Sequence, residues 1–242
     1  MVQVGFKSDR GLKRKNNEDA CFVIPEDKIY IVADGVGGGN SGEVASRLVV
    51  SHIAERVKTI PIKMAKGSED IRKYLLESIQ EANSLICKMA AEDEANNGMA
   101  TTLVLAYINR RKLYVLNVGD SRAYLLRDGE LSQITEDHTY VNTLMKSGAI
   151  SEEDARIHPQ KNIITRALGG DLLVEPDTFE VKVMKDDILL LCTDGLHGEV
   201  EDSKIAEILN AGLPMSDLCN QLITKANRCG GNDNITVVCV KI

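Results

Sequence analysis

The chain has 242 residues, 43% of them hydrophobic, with a formal net charge of −7, which is enough apolar content for one well-buried core. The acidic balance argues against a nucleic-acid partner, because phosphate-backbone binding needs clustered cations and the one tight basic run is Lys13-Arg14-Lys15. No apolar run approaches the roughly 18 residues of a membrane span, the first 20 residues lack the apolar stretch of a signal peptide, and the six cysteines show no C-x-x-C spacing, so a single cytoplasmic domain over 1–242, monomeric and with no membrane partner, is expected.

In chain order, strands over 20–24 and 28–33 are rich in β-branched and aromatic residues, and the second runs into Asp34 and a glycine-rich turn. Helices follow over 42–58 and 68–92; the longer one carries Ile71, Leu75, Ile79, Ala82 and Ile86 at helical spacing, which makes one apolar face for packing on a sheet. Next come strands 100–108, 112–118 and 122–127, a helix over 139–147, strands 178–183 and 187–192, helices 203–209 and 215–228, and a last strand over 235–242. The links Asn109-Arg110-Arg111, Asp128-Gly129 and Lys185-Asp186 are too short for a crossover helix, so their flanking strands pair antiparallel. No linker, internal repeat or low-complexity segment divides the chain.

The stretch IYIVADGVGGGNSGEVA, 29–45, poses a choice between phosphate and metal chemistry. Gly37, Gly39 and Gly42 satisfy G-x-G-x-x-G between a strand and a helix, the setting of a dinucleotide fingerprint. Asp34 would face the pyrophosphate with like charge, a costly contact. A Rossmann unit also needs a second parallel strand soon after, whereas here Pro61 and another long helix follow and the next strand opens a run of hairpins. The surroundings contradict the match.

Aspartates recur where strands end. Asp34 follows IYIVA, Asp120 follows LYVLNVG, Asp194 follows ILLLCT, Asp233 precedes NITVVCV and Asp19 precedes ACFVI. Any one of them could be a turn residue, as Asp128 before Gly129 is. If the strand ends share one rim, however, the carboxylates crowd together, and ionised pairs about 4 Å apart repel by about 4 kcal/mol at an effective dielectric near 20. A cation is expected there. All-oxygen ligands without His or Cys at ligand spacing favour Mg²⁺ or Mn²⁺ over zinc, and the spacing is not that of an EF-hand.

The motifs Arg14-Lys-Asn-Asn-Glu18-Asp19, Asp34-Gly35-Val-Gly-Gly38, Gly119-Asp120-Ser-Arg122, Thr193-Asp194-Gly195-Leu196 and Gly231-Asn-Asp233-Asn234 stand in the order and approximate spacing of the metal-dependent Ser/Thr protein phosphatases of the type 2C family. The chain resembles the compact bacterial members, and the resemblance spans nearly all of it. It implies an α+β fold, a four-layer α/β/β/α sandwich of two antiparallel sheets flanked by helix pairs, with a binuclear Mn²⁺ or Mg²⁺ centre at one end. By the same resemblance Asp34 bridges two metals, the Gly35 carbonyl completes one site, and Asp194 and Asp233 hold the other. Glu18 and Asp19 hold metal or its waters, Asp120 joins Asp194 around a third, weaker ion, and Arg14 grips the substrate phosphate by a bidentate contact.

The implied reaction is in-line attack of a metal-bridging water on phosphoserine or phosphothreonine in proteins phosphorylated by a Ser/Thr kinase, with no phosphoenzyme. Many members place His directly after the Asp-Gly pair as proton donor to the leaving group; this chain has Val36. His52, His138, His158 and His197 are given surface or packing roles. The segment 137–170 resembles the family's flap beside the site, against the plainer reading of one helix closed by Gly148 and a loop. Two other readings are weighed. Ser121 in G-D-S with the later D-G-L-H imitates a serine esterase signature, but in mid-chain and between two strands. A non-catalytic phosphoprotein-binding module on the same fold is opposed by the intact acid set.

Overall fold

The computed structural model describes residues 2–37 and 41–242; Gly38 and Gly39 of the glycine run lie outside the described residues. Two antiparallel sheets face each other. One contains, in spatial order, β1 (Gln3–Asp9), β11 (Ile235–Lys241), β10 (Ile188–Cys192), β7 (Arg122–Arg127) and β8 (Glu130–Gln133). The other runs β2 (Asp19–Ile24), β3 (Ile29–Val36), β5 (Leu103–Asn109), β6 (Lys112–Val118) and β9 (Asp177–Lys182), with the short β4 (Ala100–Thr101) also paired to β3. Helices α1 (Ser41–Thr59) and α2 (Ser68–Glu92) cover the second sheet, and α6 (Asp202–Leu209) and α7 (Met215–Cys229) cover the first.

Alternation along the strands builds this layering. Ile29, Ile31 and Ala33 face α1 and α2, while Tyr30 and Val32 face the opposite sheet. In the same way Ile188, Leu190 and Cys192 pack under α7, and Leu189 and Leu191 enter the core between the sheets. Because both faces are covered, these strands read as continuous apolar runs. The face of α2 expected from its spacing, Ile71, Leu75, Ile79, Ala82 and Ile86, is buried throughout. The four-layer sandwich is as the resemblance implies.

Differences from the expected elements have local causes. The strand over 28–33 continues to Val36, because Gly35 and Val36 pair with Thr101 and Ala100. The strand over 100–108 breaks at Thr102, whose backbone N–H donates to the Asp34 carbonyl at 2.8 Å and whose hydroxyl accepts the Asp34 N–H at 2.9 Å. Strands β1 and β8 lie at the two edges of one sheet, where half-exposed polar positions blur the alternation. The segment 137–170 holds two short helices, α3 (Tyr140–Lys146) and α4 (Glu152–Ile157), and α4 buries only Ala155, too little for an apolar face. Gly148 follows α3 at φ +73, as a helix stop should.

Candidate metal centre

The antiparallel register carries the acids to one rim. Asp19 opens β2 directly opposite Asp34 in β3. Asp194 opens the one-turn helix α5 (Asp194–His197) just after β10, Asp120 sits in the turn between β6 and β7, and Asp233 stands two residues before β11. Two glycines let the chain close here. A Cβ on Gly35 would lie 2.1 Å from the Gly42 carbonyl oxygen, and one on Gly42 would lie 2.4 Å from Glu18 Oε2, so the start of α1 seats directly on β3. The Gly35 N–H donates to the Glu18 carbonyl at 3.1 Å, which also accepts the Ser46 hydroxyl at 2.5 Å.

Arg14, Glu18, Asp34, Asp120, Asp194 and Asp233 line one cleft of about 220 Å³, joined by Val36 and, from the 137–170 segment, by Asn162 and Ile164. Asp19 lies behind the cleft with its Oδ2 accepting the Thr193 hydroxyl at 2.9 Å. Burial, with Asp194 and Asp233 adding repulsion, pushes the Asp19 carboxyl up to about 7. Burial and Asp194 push Asp120 up to about 8, burial and Asp233 push Asp194 up to about 6, and burial with four neighbouring aspartates raises Asp34 well above the carboxylate range. Arg14 is the counter-charge at the lip: its Nη2 donates to Asp233 Oδ2 at 2.5 Å, and although burial works against the cation, that contact and the attraction of Asp34 and Asp194 raise its pKa.

These carboxylates fit a bound cation. Asp19 Oδ1 and Asp194 Oδ1 are buried without a hydrogen-bond partner, a state that costs about 1–3 kcal/mol for a polar atom and more for a charged one. Among the described residues no three His, Cys, Asp or Glu side chains are already drawn in around a single point. Asp34, Asp120, Asp194 and Asp233 instead line the cleft together. The donors are oxygens only, which suits a hard ion such as Mn²⁺ or Mg²⁺.

Every acid singled out in the sequence, with Arg14 and Gly35, thus comes to this one rim, and Asp128 does not. Asp128 and Gly129, at φ +51 and +87, make the tight β7–β8 turn. The dinucleotide reading ends with β3, which pairs antiparallel to β2, β4 and β5. The esterase reading ends with Ser121, fully buried and 2.7 Å from the Thr102 hydroxyl, with His197 bonded to the Asp120 carbonyl instead. Within the packing roles given to the histidines, His138 and His197 hydrogen-bond the turn that carries Asp120. No histidine lines the cleft, and Val36 is 41% exposed at its edge.

Sequence reasoning passed over the residues that hold the acids. Thr193 bridges Asp19 and the Thr236 N–H, joining β2 to the start of β11. The Asn234 side chain accepts the Glu18 N–H at 2.8 Å and donates to the carbonyls of Arg10 and Asn16, both at 2.9 Å. Both residues stand inside motifs already quoted, T-D-G and N-D-N, where a polar side chain next to an apolar strand was the available signal.

An α/β/β/α sandwich with an acidic cleft at one rim and an arginine on its lip is the architecture of a metal-dependent phosphohydrolase. Residues 12–233 match the protein phosphatase 2C family. The serine/threonine phosphatase stp of Listeria innocua is 44% identical over 239 residues, covering 98% of this chain and 94% of that protein. The crystal structure of the Mycobacterium tuberculosis serine/threonine phosphatase PstP/Ppp superposes with a TM-score of 0.91 at 38% identity, covering 100% of this chain and 98% of that one. The catalytic domain of PstP in complex with 2 manganese ions superposes at 0.88 with 37% identity, covering 99% and 97%. The chain belongs to the protein phosphatase 2C family.

Proposed function

We infer that the chain is a metal-dependent protein serine/threonine phosphatase whose ligands are Asp34, the Gly35 carbonyl, Asp194 and Asp233, with Asp120 at a weaker position and Glu18 and Asp19 supporting. The convergence of strand-end aspartates on a cleft with Arg14 at its lip carries this reading, and the manganese complex of PstP supports it. When bound, two Mn²⁺ or Mg²⁺ ions supply a water of lowered pKa and neutralise charge on the phosphoryl group. Arg14 orients the phosphate through its planar pair of donors, exchanging the Asp233 contact for the substrate. Thr193 and Asn234 keep the strand ends, and so the acids, in place. Substrates are phosphoproteins, here assigned to those of a Ser/Thr kinase; residues 1–242 act as one catalytic domain, supported by the pairing of β1 with β11. The six free cysteines suit the reducing cytoplasm, and no described helix is long and apolar enough to cross a membrane.

Release of phosphate from a phosphoserine or phosphothreonine peptide, with and without chelator, tests the reading directly. Protein stripped by chelator and returned to Mn²⁺ at 100 times Kd gains about 2.7 kcal/mol, and its Tm rises by roughly 5 to 10 °C. An unchanged Tm rules out a metal centre at this rim. Arg14→Ala raises KM for the peptide by on the order of tenfold, the loss of one charge-assisted contact, and leaves kcat nearly alone if the contact is equal in ground and transition states. An unaltered KM removes Arg14 from phosphate binding.

A further inference from the structure

Gly119 turns the chain out of β6 at φ +99, and a Cβ there would lie 2.6 Å from the Thr102 side chain. The turn it opens, 119–121, is gripped from three directions. Ser121 Oγ and Thr102 Oγ1 are 2.7 Å apart, and Thr102 Oγ1 also accepts the Asp34 N–H, so this side leads to Asp34. On the second side the Gly119 N–H donates to His138 Nδ1 at 3.0 Å, and the Gly119 carbonyl accepts the His138 N–H at 3.0 Å. On the third, His197 Nε2 lies 3.0 Å from the Asp120 carbonyl.

The hydrogen bonds assign both tautomers. His138 Nδ1 accepts an N–H and carries no proton, so Nε2 carries it and donates to Asp177 Oδ2 at 3.2 Å. Arg166 Nη1, 3.0 Å from the same Nε2, spends its protons on Asp177 Oδ1 and the Glu175 carbonyl, both at 2.8 Å. His197 must carry its proton on Nε2 to meet a carbonyl oxygen. The His138 ring, which accepts at Nδ1, is therefore neutral, and burial lowers the pKa of both rings and takes His197 down to about 3. Neither ring lines the cleft.

Each histidine ties the turn to a different part of the site. His197 closes α5, the helix that Asp194 opens. His138 begins the segment that supplies Asn162 and Ile164 to the cleft, and its carbonyl accepts the Thr165 N–H at 2.8 Å. We propose that His138 and His197 are positioning residues that lock the Gly119–Asp120–Ser121 turn, hold the Asp120 carboxylate facing Asp194, and thereby set the affinity for the divalent cation between those two aspartates. This rests on the metal-site reading of Asp120 and Asp194. The histidines touch neither substrate nor ion; they act through the backbone of 119 and 120.

Calorimetric titration of chelator-stripped protein with Mn²⁺, alongside phosphopeptide kinetics, tests the lock. Outer partners of metal ligands are worth on the order of 10- to 100-fold in affinity. His197→Leu weakens the weakest Mn²⁺ step by about tenfold or more and raises the Mn²⁺ needed for half-maximal kcat by the same factor, with KM for the peptide unchanged. His197→Gln, whose side-chain amide still reaches the carbonyl, restores both. If leucine prevents folding, His197→Asn replaces it: polar but too short to reach, it must show the same loss. His138→Asn, which keeps an acceptor where Nδ1 stood, binds Mn²⁺ like the wild type, whereas His138→Leu does not. Asp120→Asn abolishes the weak step, and adding His197→Leu to it costs nothing more, since both act on one element. Folded variants with unchanged Mn²⁺ affinity, or losses that add, overturn the proposal. A wild-type protein that binds no Mn²⁺ overturns the metal reading itself, which separates the two failures.

Discussion

Asp34→Asn, Asp194→Asn and Asp233→Asn each lower phosphate release from a phosphopeptide by about 10³-fold or more, while the metal-free proteins melt no lower than the wild type. The activity loss follows from charge. A cation held by these acids supplies several kcal/mol of stabilisation to the reacting phosphoryl group, and about 4 kcal/mol corresponds to three decades in rate. Stability moves the other way, because Asp34 and Asp194 are buried beside other carboxylates and Asn has the same shape without the charge. Asp233 differs in part, since its Asn variant also gives up the ion pair with Arg14, a half-exposed contact worth little in water. Asp128→Ala, in a tight turn of β7 and β8 far from the rim acids in role, leaves activity unchanged. Equal losses at Asp128 and Asp194, or a large drop in metal-free Tm at Asp34 or Asp194, would show that these acids are turn or core residues.

The site was legible because its chemistry sits at the ends of strands buried on both faces. Strands such as Ile188–Cys192 stand out as apolar runs, so the polar residue that ends each one is conspicuous. What could not be read was whatever depends on the rim being assembled. The break at Thr102 comes from Asp34, 68 residues away. The role of Asn234 lies in its bond to the Glu18 backbone, 216 residues away. Histidines 138 and 197 read as surface or packing residues, and only the fold brings both to Gly119 and Asp120. The edge strands Gln3–Asp9 and Glu130–Gln133 escaped for another reason: with one side open to water their alternation is weak, and β1 leaves Phe6 60% exposed.

Between pH 6.5 and 8 the metal-free protein loses stability as pH rises, and saturating Mg²⁺ flattens the slope. A carboxyl whose folded pKa lies above its unfolded value keeps, in the folded state, a proton that the unfolded chain has released. Its contribution is full below the unfolded value, near 4, and is lost as pH climbs through the folded one. The loss therefore runs from near pH 4 up to about 6 for Asp194, 7 for Asp19 and 8 for Asp120, with Asp34 also raised. The buried neutral histidines oppose this only at lower pH: with folded values below the unfolded 6.5, His138 and His197 add stability as pH rises toward 6.5 and nothing above it. The upper window therefore isolates the acids. A carboxyl that stays protonated in the folded state changes stability by about 1.4 kcal/mol per pH unit, so Asp120 alone accounts for about 2 kcal/mol and a fall in Tm of roughly 4 to 8 °C. With Mg²⁺ bound the acids must be deprotonated, so protons compete with metal and affinity rises with pH. Thermal melts at pH 6.5, 7.2 and 8.0, each with chelator and with Mg²⁺, read both slopes. A metal-free Tm that is flat or rises across this window would mean that the rim carboxylates are already ionised and tolerate one another without a cation.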